Sequence, residues 1–234
     1  MPSTLENEPE VHSGPPRRLE SGLQRFERAK AAIEGFLNAR SLEERLPFIR
    51  NRSTLEASMR NYHKSRPLQP IRFRDIPEDG VLESKDGRHL TLMVMMEDYS
   101  LQPVVLEDTP DGFKVDWESF TGHNPVLWDA YAADPPGQPL ILRVLARSAG
   151  TGAVEHIPDA GKFAWVMLEG PGGTRALPAA IDPGSEMEWR IKSLLDPLSE
   201  RKLCLELEAF PAAVPNAPKA ARIRRLASES WFLP

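Results

Sequence analysis

The chain has 234 residues, of which 41% are hydrophobic and 27% charged, a composition typical of a globular protein with one large domain or two small ones. Its net charge of −5 argues against nucleic acid or an anionic membrane surface as the main partner. No run approaches the roughly 18 apolar residues that span a bilayer. Because the N-terminus also lacks the apolar segment of a secretory signal, we expect a cytoplasmic protein without a membrane span.

The first third of the chain predicts a tail and three helices. Residues 1–18 are polar and proline-rich without periodicity, and we expect them to be disordered. From 19 to 39 the apolar residues recur at helical spacing, which indicates an amphipathic helix. Two capping-box patterns, Ser41-x-x-Glu44 and Ser53-x-x-Glu56, predict two further helices that end near residues 49 and 64.

An antiparallel sheet is predicted from there to residue 120. Short strands are expected at 71–75, 81–84 and 88–97, separated by proline and glycine turns. A β-hairpin follows at 101–120, and Thr109-Pro110-Asp111-Gly112 supplies its turn. Residues 19–121 therefore predict an α+β subdomain, with three N-terminal helices on a curved, mainly antiparallel sheet.

The second half, 122–234, predicts another α+β subdomain with the order helix, three strands, helix and further strands. Asn124-Pro125 has the pattern of a helix start, and Ser185-x-x-Glu188 is a third capping box. Strands are expected at 140–146, 162–169, 177–181, 202–210 and 222–233, and the second helix at 186–195. The short link at 120–124 leaves open whether the two halves pack as one unit.

Carboxylates on the second strand of the hairpin are the main candidates for catalysis. Phe113, Val115 and Trp117 alternate with charged residues, so Asp116 and Glu118 share the opposite face of that strand. If this face lined an apolar cavity, desolvation would raise the carboxyl pKa values and produce a general base, and His123 is near enough in sequence to take part. The alternative is the solvated face of an ordinary hairpin.

Arg143 is the one charge inside the apolar strand LILRVLA, where a charge usually has a partner. It is either half of a structural ion pair or an anion-binding residue. The five histidines lack metal-ligand spacing, and no phosphate loop or nucleophile elbow occurs, so we expect no metal and no cofactor. The single cysteine, Cys204, excludes an internal disulfide, and its apolar run indicates a small buried side chain.

Three resemblances follow from these patterns. The helices and the curved sheet that ends in FKVDW resemble the nuclear-transport-factor-2-like cone fold, which includes ketosteroid isomerase-like enzymes with acid–base residues inside the cone and also non-catalytic binding modules. The segments FLNARSLEERLPFIRN, VDWESFTG and PGSEMEWRIKSLL resemble a group of bacterial proteins with no assigned activity. The second half resembles a Src-homology-2 domain in its order of elements, with Arg143 near the phosphate-binding arginine of that family.

The leading functional hypothesis is a non-enzymatic binding or assembly module, because no clustered catalytic set occurs. Its partner would be a protein or a small molecule, without nucleic acid, and a homodimer is compatible with the exposed sheet edges. The alternative is a small-molecule isomerase or lyase of the ketosteroid-isomerase type that uses a carboxylate such as Asp116. A third hypothesis is anion or phosphopeptide binding through Arg143.

Overall fold

The computed structural model describes residues 21–150, 152–195, 199–211 and 219–234. In these residues the predicted α+β class is confirmed: N-terminal helices pack against a curled antiparallel sheet, and a closed five-stranded barrel follows. The predicted disordered tail lies outside the described residues. No described helix has both the length and the apolar character needed to cross a membrane.

The three predicted N-terminal helices are present as α1 (Gly22–Asn38), α2 (Leu42–Arg45) and α3 (Arg52–His63). Ser41 caps α2 as predicted, since its hydroxyl accepts the Glu44 N–H at 3.2 Å. The prediction for Ser53 was wrong, because Ser53 lies inside α3. That helix begins after Asn51, which has a left-handed φ of 53° and forms no side-chain cap hydrogen bond.

The sheet has one face against these helices. Its strands are β1 (Phe73–Asp75), β2 (Val81–Glu83), β3 (His89–Met96), β4 (Leu101–Thr109) and β5 (Gly112–Val115). They pair in the order β1-β3-β4-β5, with β2 also on β3, and all pairs are antiparallel. Alternate residues of β3 and β4, such as Leu92 and Leu106, are buried on the concave face against Phe36 of α1.

The predicted hairpin turn is present between β4 and β5, where Gly112 has φ of 96°. The prediction that the second strand runs on through Glu118 was wrong. The strand ends at Val115, and Asp116 caps a short helix, α4 (Trp117–Thr121), by accepting the Ser119 N–H at 2.7 Å. This turn carries Trp117 into the core, where it is fully buried.

The second half forms a barrel with two helices. Its elements are α5 (Trp128–Ala133), β6 (Leu140–Ser148), β7 (Ala164–Glu169), β8 (Ala176–Ile181), α6 (Glu186–Leu194), β9 (Arg201–Ala209) and β10 (Ala221–Ser228). The strands close in the order β10-β8-β7-β6-β9. Only the β8–β10 pair among these is parallel. Ser185 caps α6 as predicted.

Three sequence-based expectations for this half were wrong. Asn124 does not cap a helix, because α5 begins only after Leu127. The side-chain amide of Asn124 instead donates a hydrogen bond to the backbone oxygen of Arg143 and accepts one from the backbone N–H of Arg143. The last strand ends at Ser228, since the chain then turns back across β6. The position of Trp189 on the apolar face of the predicted helix 186–195 favours core packing, but Trp189 is 74% exposed on α6. The order of elements agrees with the Src-homology-2 resemblance, but the strands close into a barrel.

The barrel contacts the first half through β6 and β9. Arg143 and Cys204 are register partners on these strands, and both are buried although they point away from the barrel interior, which Leu142 and Leu203 fill. The C-terminal residues lie across this contact, since the backbone oxygen of Leu233 accepts a hydrogen bond from Arg50 of the first half at 3.0 Å.

Candidate functional site

The four residues predicted from sequence lie close together where the sheet meets the barrel. Asp116 caps α4, Glu118 lies within it, and His123 follows it directly, while Arg143 approaches from β6. We call this group the junction cluster. The sequence linked the first three by proximity, whereas Arg143 joins them only because β6 packs against the end of α4.

Arg143 holds three parts of the chain together. It is 4% exposed. Its Nε donates to the Trp231 backbone oxygen at 2.9 Å and its Nη1 to the His123 backbone oxygen at 2.9 Å. Its Nη2 lies 3.5 Å from a Glu118 carboxylate oxygen. The guanidinium is therefore occupied by the protein's own acceptors, and the predicted contact with an external anion stays a prediction.

Asp116 directly follows β5 and precedes α4. It is 5% exposed. One carboxylate oxygen caps α4, and the other lies 2.9 Å from Nη1 of Arg50. Arg50 also forms an ion pair with Glu107 at 2.8 Å, so a single guanidinium contacts two carboxylates. These contacts fix the Asp116 side chain. A catalytic role for Asp116 stays a prediction.

Glu118 and His123 have shifted pKa values. Burial raises the pKa of Glu118, the positive charge of Arg143 opposes this shift, and the charge of Asp116 adds to it. Burial also lowers the pKa of His123, and the charges of Arg143 and Arg66 lower it further. The His123 ring lies 4.7 Å from the Trp117 ring, between centroids. Both shifts favour the neutral forms, as is usual for half-buried groups.

A cleft opens beside the junction cluster, between the end of α3 and the segment that joins α4 to α5. Its volume is about 430 Å³, which lies in the range of small-molecule sites. The end of α3 contributes Lys64 and Arg66 to its lining, and the segment after α4 contributes His123, Val126 and Leu127. We call it the junction cleft.

A second candidate surface lies on the barrel. The rings of Phe163, Trp165 and Phe210 form an aromatic cluster, in which the Phe210 centroid lies 5.1 Å from Phe163 and 5.4 Å from Trp165. All three side chains are half-buried. A cavity of about 820 Å³ lies beside Trp165, and the loop from β6 to β7 supplies most of its lining, including Glu155.

Sequence reasoning missed several residues of these surfaces. Arg50 has no local signal, because its partners Asp116 and Leu233 are 66 and 183 residues away. The sequence KSRP after α3 places two cations close together, which could have indicated a basic patch. The described residues contain no group of three or more His, Cys, Asp or Glu side chains able to hold a metal ion.

Comparison with family models, with curated proteins and with solved structures finds no match for this chain.

Proposed function

We propose that this protein is a non-enzymatic binding module. The observation that carries the proposal is the packing of the concave face of the sheet, which is filled by the chain's own apolar side chains. Phe36, Leu92 and Trp117 are among those with no exposed surface. If the first half is a nuclear-transport-factor-2-like cone, as the resemblance implies, an enzyme of that group would need acid–base residues in this space. Asp116 instead caps α4 and pairs with Arg50.

The connectivity of the barrel supports a location for the ligand. The five strands of the barrel follow the order first-second-third-fifth-fourth, and the third and fifth strands form the one parallel pair. A helix lies between the third and fourth strands. This is the topology of the oligonucleotide/oligosaccharide-binding fold. Ligands of that fold lie over the second and third strands, between two loops. In this chain the corresponding strands are β7 and β8. Trp165 of the aromatic cluster lies on β7, Phe163 directly precedes that strand, and Phe210 directly follows β9. Fold analogy alone does not establish a binding site, and the aromatic cluster is the feature of this chain that supports one on this surface.

The chemistry of this surface favours a neutral ligand with flat apolar faces. Aromatic rings stack on sugars or bases. A nucleic acid is disfavoured because the chain carries a net charge of −5 and cannot gain much from counterion release. The Glu155 carboxylate and the Ser148 hydroxyl in the adjacent cavity suit the hydroxyl groups of a sugar. We therefore expect a sugar chain.

The test is titration calorimetry with neutral oligosaccharides, using linear glucans and chitin fragments. We expect at least one to bind the wild type and Trp165→Ala and Phe163→Ala to lose it, with folding checked by circular dichroism. Trp189→Ala is the matched control, because Trp189 is an exposed tryptophan outside this surface. Preference for an oligonucleotide, or equal losses in the control, would contradict the proposal.

The isomerase alternative has one supporting observation, the raised pKa of the half-buried Glu118. It predicts that Glu118→Gln abolishes turnover of an enolisable ketone while leaving the fold intact. Absence of any turnover by the wild type on such ketones would remove this alternative.

A further inference from the structure

The junction cleft has one cationic side. Lys64 and Arg66 follow α3 directly, and both are exposed at the cleft. The Arg66 guanidinium lies 4.5 Å from the centroid of the Tyr62 ring, which orients it. Neither cation forms an ion pair with any residue that the structure describes, although most other arginines of the described chain do. None of the described residues that line the cleft carries a carboxylate.

The opposite side of the cleft is apolar. Pro125, Val126 and Leu127 form an exposed turn before α5, and Leu127 is 78% exposed. Large apolar side chains left in solvent beside a concave surface are typical of binding sites. Here the chain cannot bury them locally, since Asn124 is fixed to Arg143 at one end and Trp128 is buried at the other.

His123 connects the two sides. Its backbone oxygen is held by Arg143 and its ring rests on Trp117, so its position is set by the junction cluster rather than by the cleft. Burial is the main cause of the lowered pKa of His123, and the charges of Arg143 and Arg66 lower that pKa further. A neutral imidazole still donates one hydrogen bond.

We propose that the junction cleft binds a small organic anion, whose carboxylate or phosphate group lies against Lys64, Arg66 and His123 and whose apolar body packs on Val126 and Leu127. One opposing effect is the end of α3, because a helix C-terminus carries roughly half a negative charge. Two full positive charges at the same place exceed it. Arg66 suits the anionic group in particular, since a guanidinium binds carboxylate and phosphate through two parallel hydrogen bonds.

The test uses four probes with the full chain: naphthoate, naphthyl phosphate, the uncharged naphthylmethanol, and acetate, each titrated by calorimetry or by NMR of the backbone amides. We expect naphthoate or naphthyl phosphate to bind, and the stronger of the two identifies the anionic group. Naphthylmethanol and acetate should each bind at least about tenfold more weakly, because each lacks one half of the interaction.

Variants locate the site. Lys64→Gln and Arg66→Gln should each weaken the anionic probe by about tenfold, and Leu127→Ser should weaken naphthoate without affecting acetate. All three side chains are exposed, so folding should be retained. Arg72→Gln is the control, because Arg72 is an exposed arginine of the same half that does not line the cleft. Equal binding of naphthylmethanol, or unchanged binding in Arg66→Gln, would overturn the proposal. Its failure would leave the barrel proposal untouched, because Trp165 and the cleft are tested by separate variants.

Discussion

Arg143 and Trp231 each donate a hydrogen bond to the other's part of the chain. The Nε of Arg143 donates to the Trp231 backbone oxygen at 2.9 Å, and the indole Nε1 of Trp231 donates to the backbone oxygen of Val144 at 2.9 Å. The C-terminal segment is thus bound to β6 at two adjacent residues. Because Arg143 also holds His123, this pair connects the end of the chain to the link between the two halves.

Replacing Arg143 by methionine should lower the free energy of unfolding by about 3–5 kcal/mol, because the change leaves buried acceptors without their donor and Glu118 without its partner. Arg147→Met is the control, since Arg147 lies on the same strand but its ion pair with Glu169 is largely exposed and should contribute less than about 1 kcal/mol. Urea unfolding followed by circular dichroism measures both. Similar losses in the two variants would show that Arg143 does not hold the junction.

Gly122 and Gly172 provide a matched pair for a close approach at the junction. Their φ angles are +67° and +65°, so alanine should cost roughly 1–2 kcal/mol at either position through backbone strain. At Gly122 an added Cβ would also lie 2.5 Å from Pro171 and 2.9 Å from Trp231. At Gly172 an added Cβ would have no heavy atom of another described residue within 4 Å, apart from its chain neighbours. We expect Gly122→Ala to lose about 1–3 kcal/mol more than Gly172→Ala in the same urea experiment. Equal losses would mean that Pro171 moves freely.

The stability of the protein should depend on pH through His123. Its pKa is lowered from 6.5 in the folded state, mainly by burial. As the pH falls below 6.5, the unfolded chain therefore binds a proton that the folded chain does not, and the free energy of unfolding decreases until the pH passes the folded pKa. His123→Phe keeps a ring against Trp117 and should lack this decrease. Parallel pH curves for wild type and variant would contradict the prediction.

Glu118 should act in the opposite direction. Its pKa is raised above 4.5 by burial, so its contribution to stability is present below 4.5 and is lost as the pH rises through the folded pKa. Glu118→Gln should remove this loss, although it also removes the partner of Arg143. The measurement therefore compares how the free energy of unfolding changes with pH in the wild type and in Glu118→Gln, rather than its absolute value in each.

Cys204 should be unreactive in the native protein. It is fully buried at the junction, and burial raises the pKa of its thiol to about 11. A thiol reagent such as Ellman's reagent should label it only after denaturant is added, with one equivalent released per chain. Rapid labelling of the native protein would show that the contact between the two halves opens easily.

Local signals predicted the elements of this chain better than their ends. Ser41 and Ser185 cap helices because a serine hydroxyl and a backbone N–H three residues later meet by local geometry alone. The alternation of Phe113, Val115 and Trp117 also indicated correctly which side chains are buried. It failed to show that the chain turns at Asp116, since a buried position looks the same in a strand and at the start of a helix.

The candidate site was predictable only in part. The grouping of Asp116, Glu118 and His123 followed from their proximity in sequence. Their surroundings did not, because Arg50 and Arg143 reach them from distant segments, and Asn124 bonds a strand instead of capping a helix. The side-chain chemistry of an asparagine or an arginine permits many partners, and only packing selects one.

The sequence by itself determined the α+β class, the order of helices and strands, the hairpin turn at Gly112 and the burial of most apolar side chains, because each depends on residues only a few positions apart. Tertiary structure decided the closure of the barrel, the pairing of Asp116 with Arg50, the burial of Arg143 and the formation of the junction cleft. These depend on which strands pair and how the two halves meet. The periodicity of a strand specifies its buried face but not its neighbour.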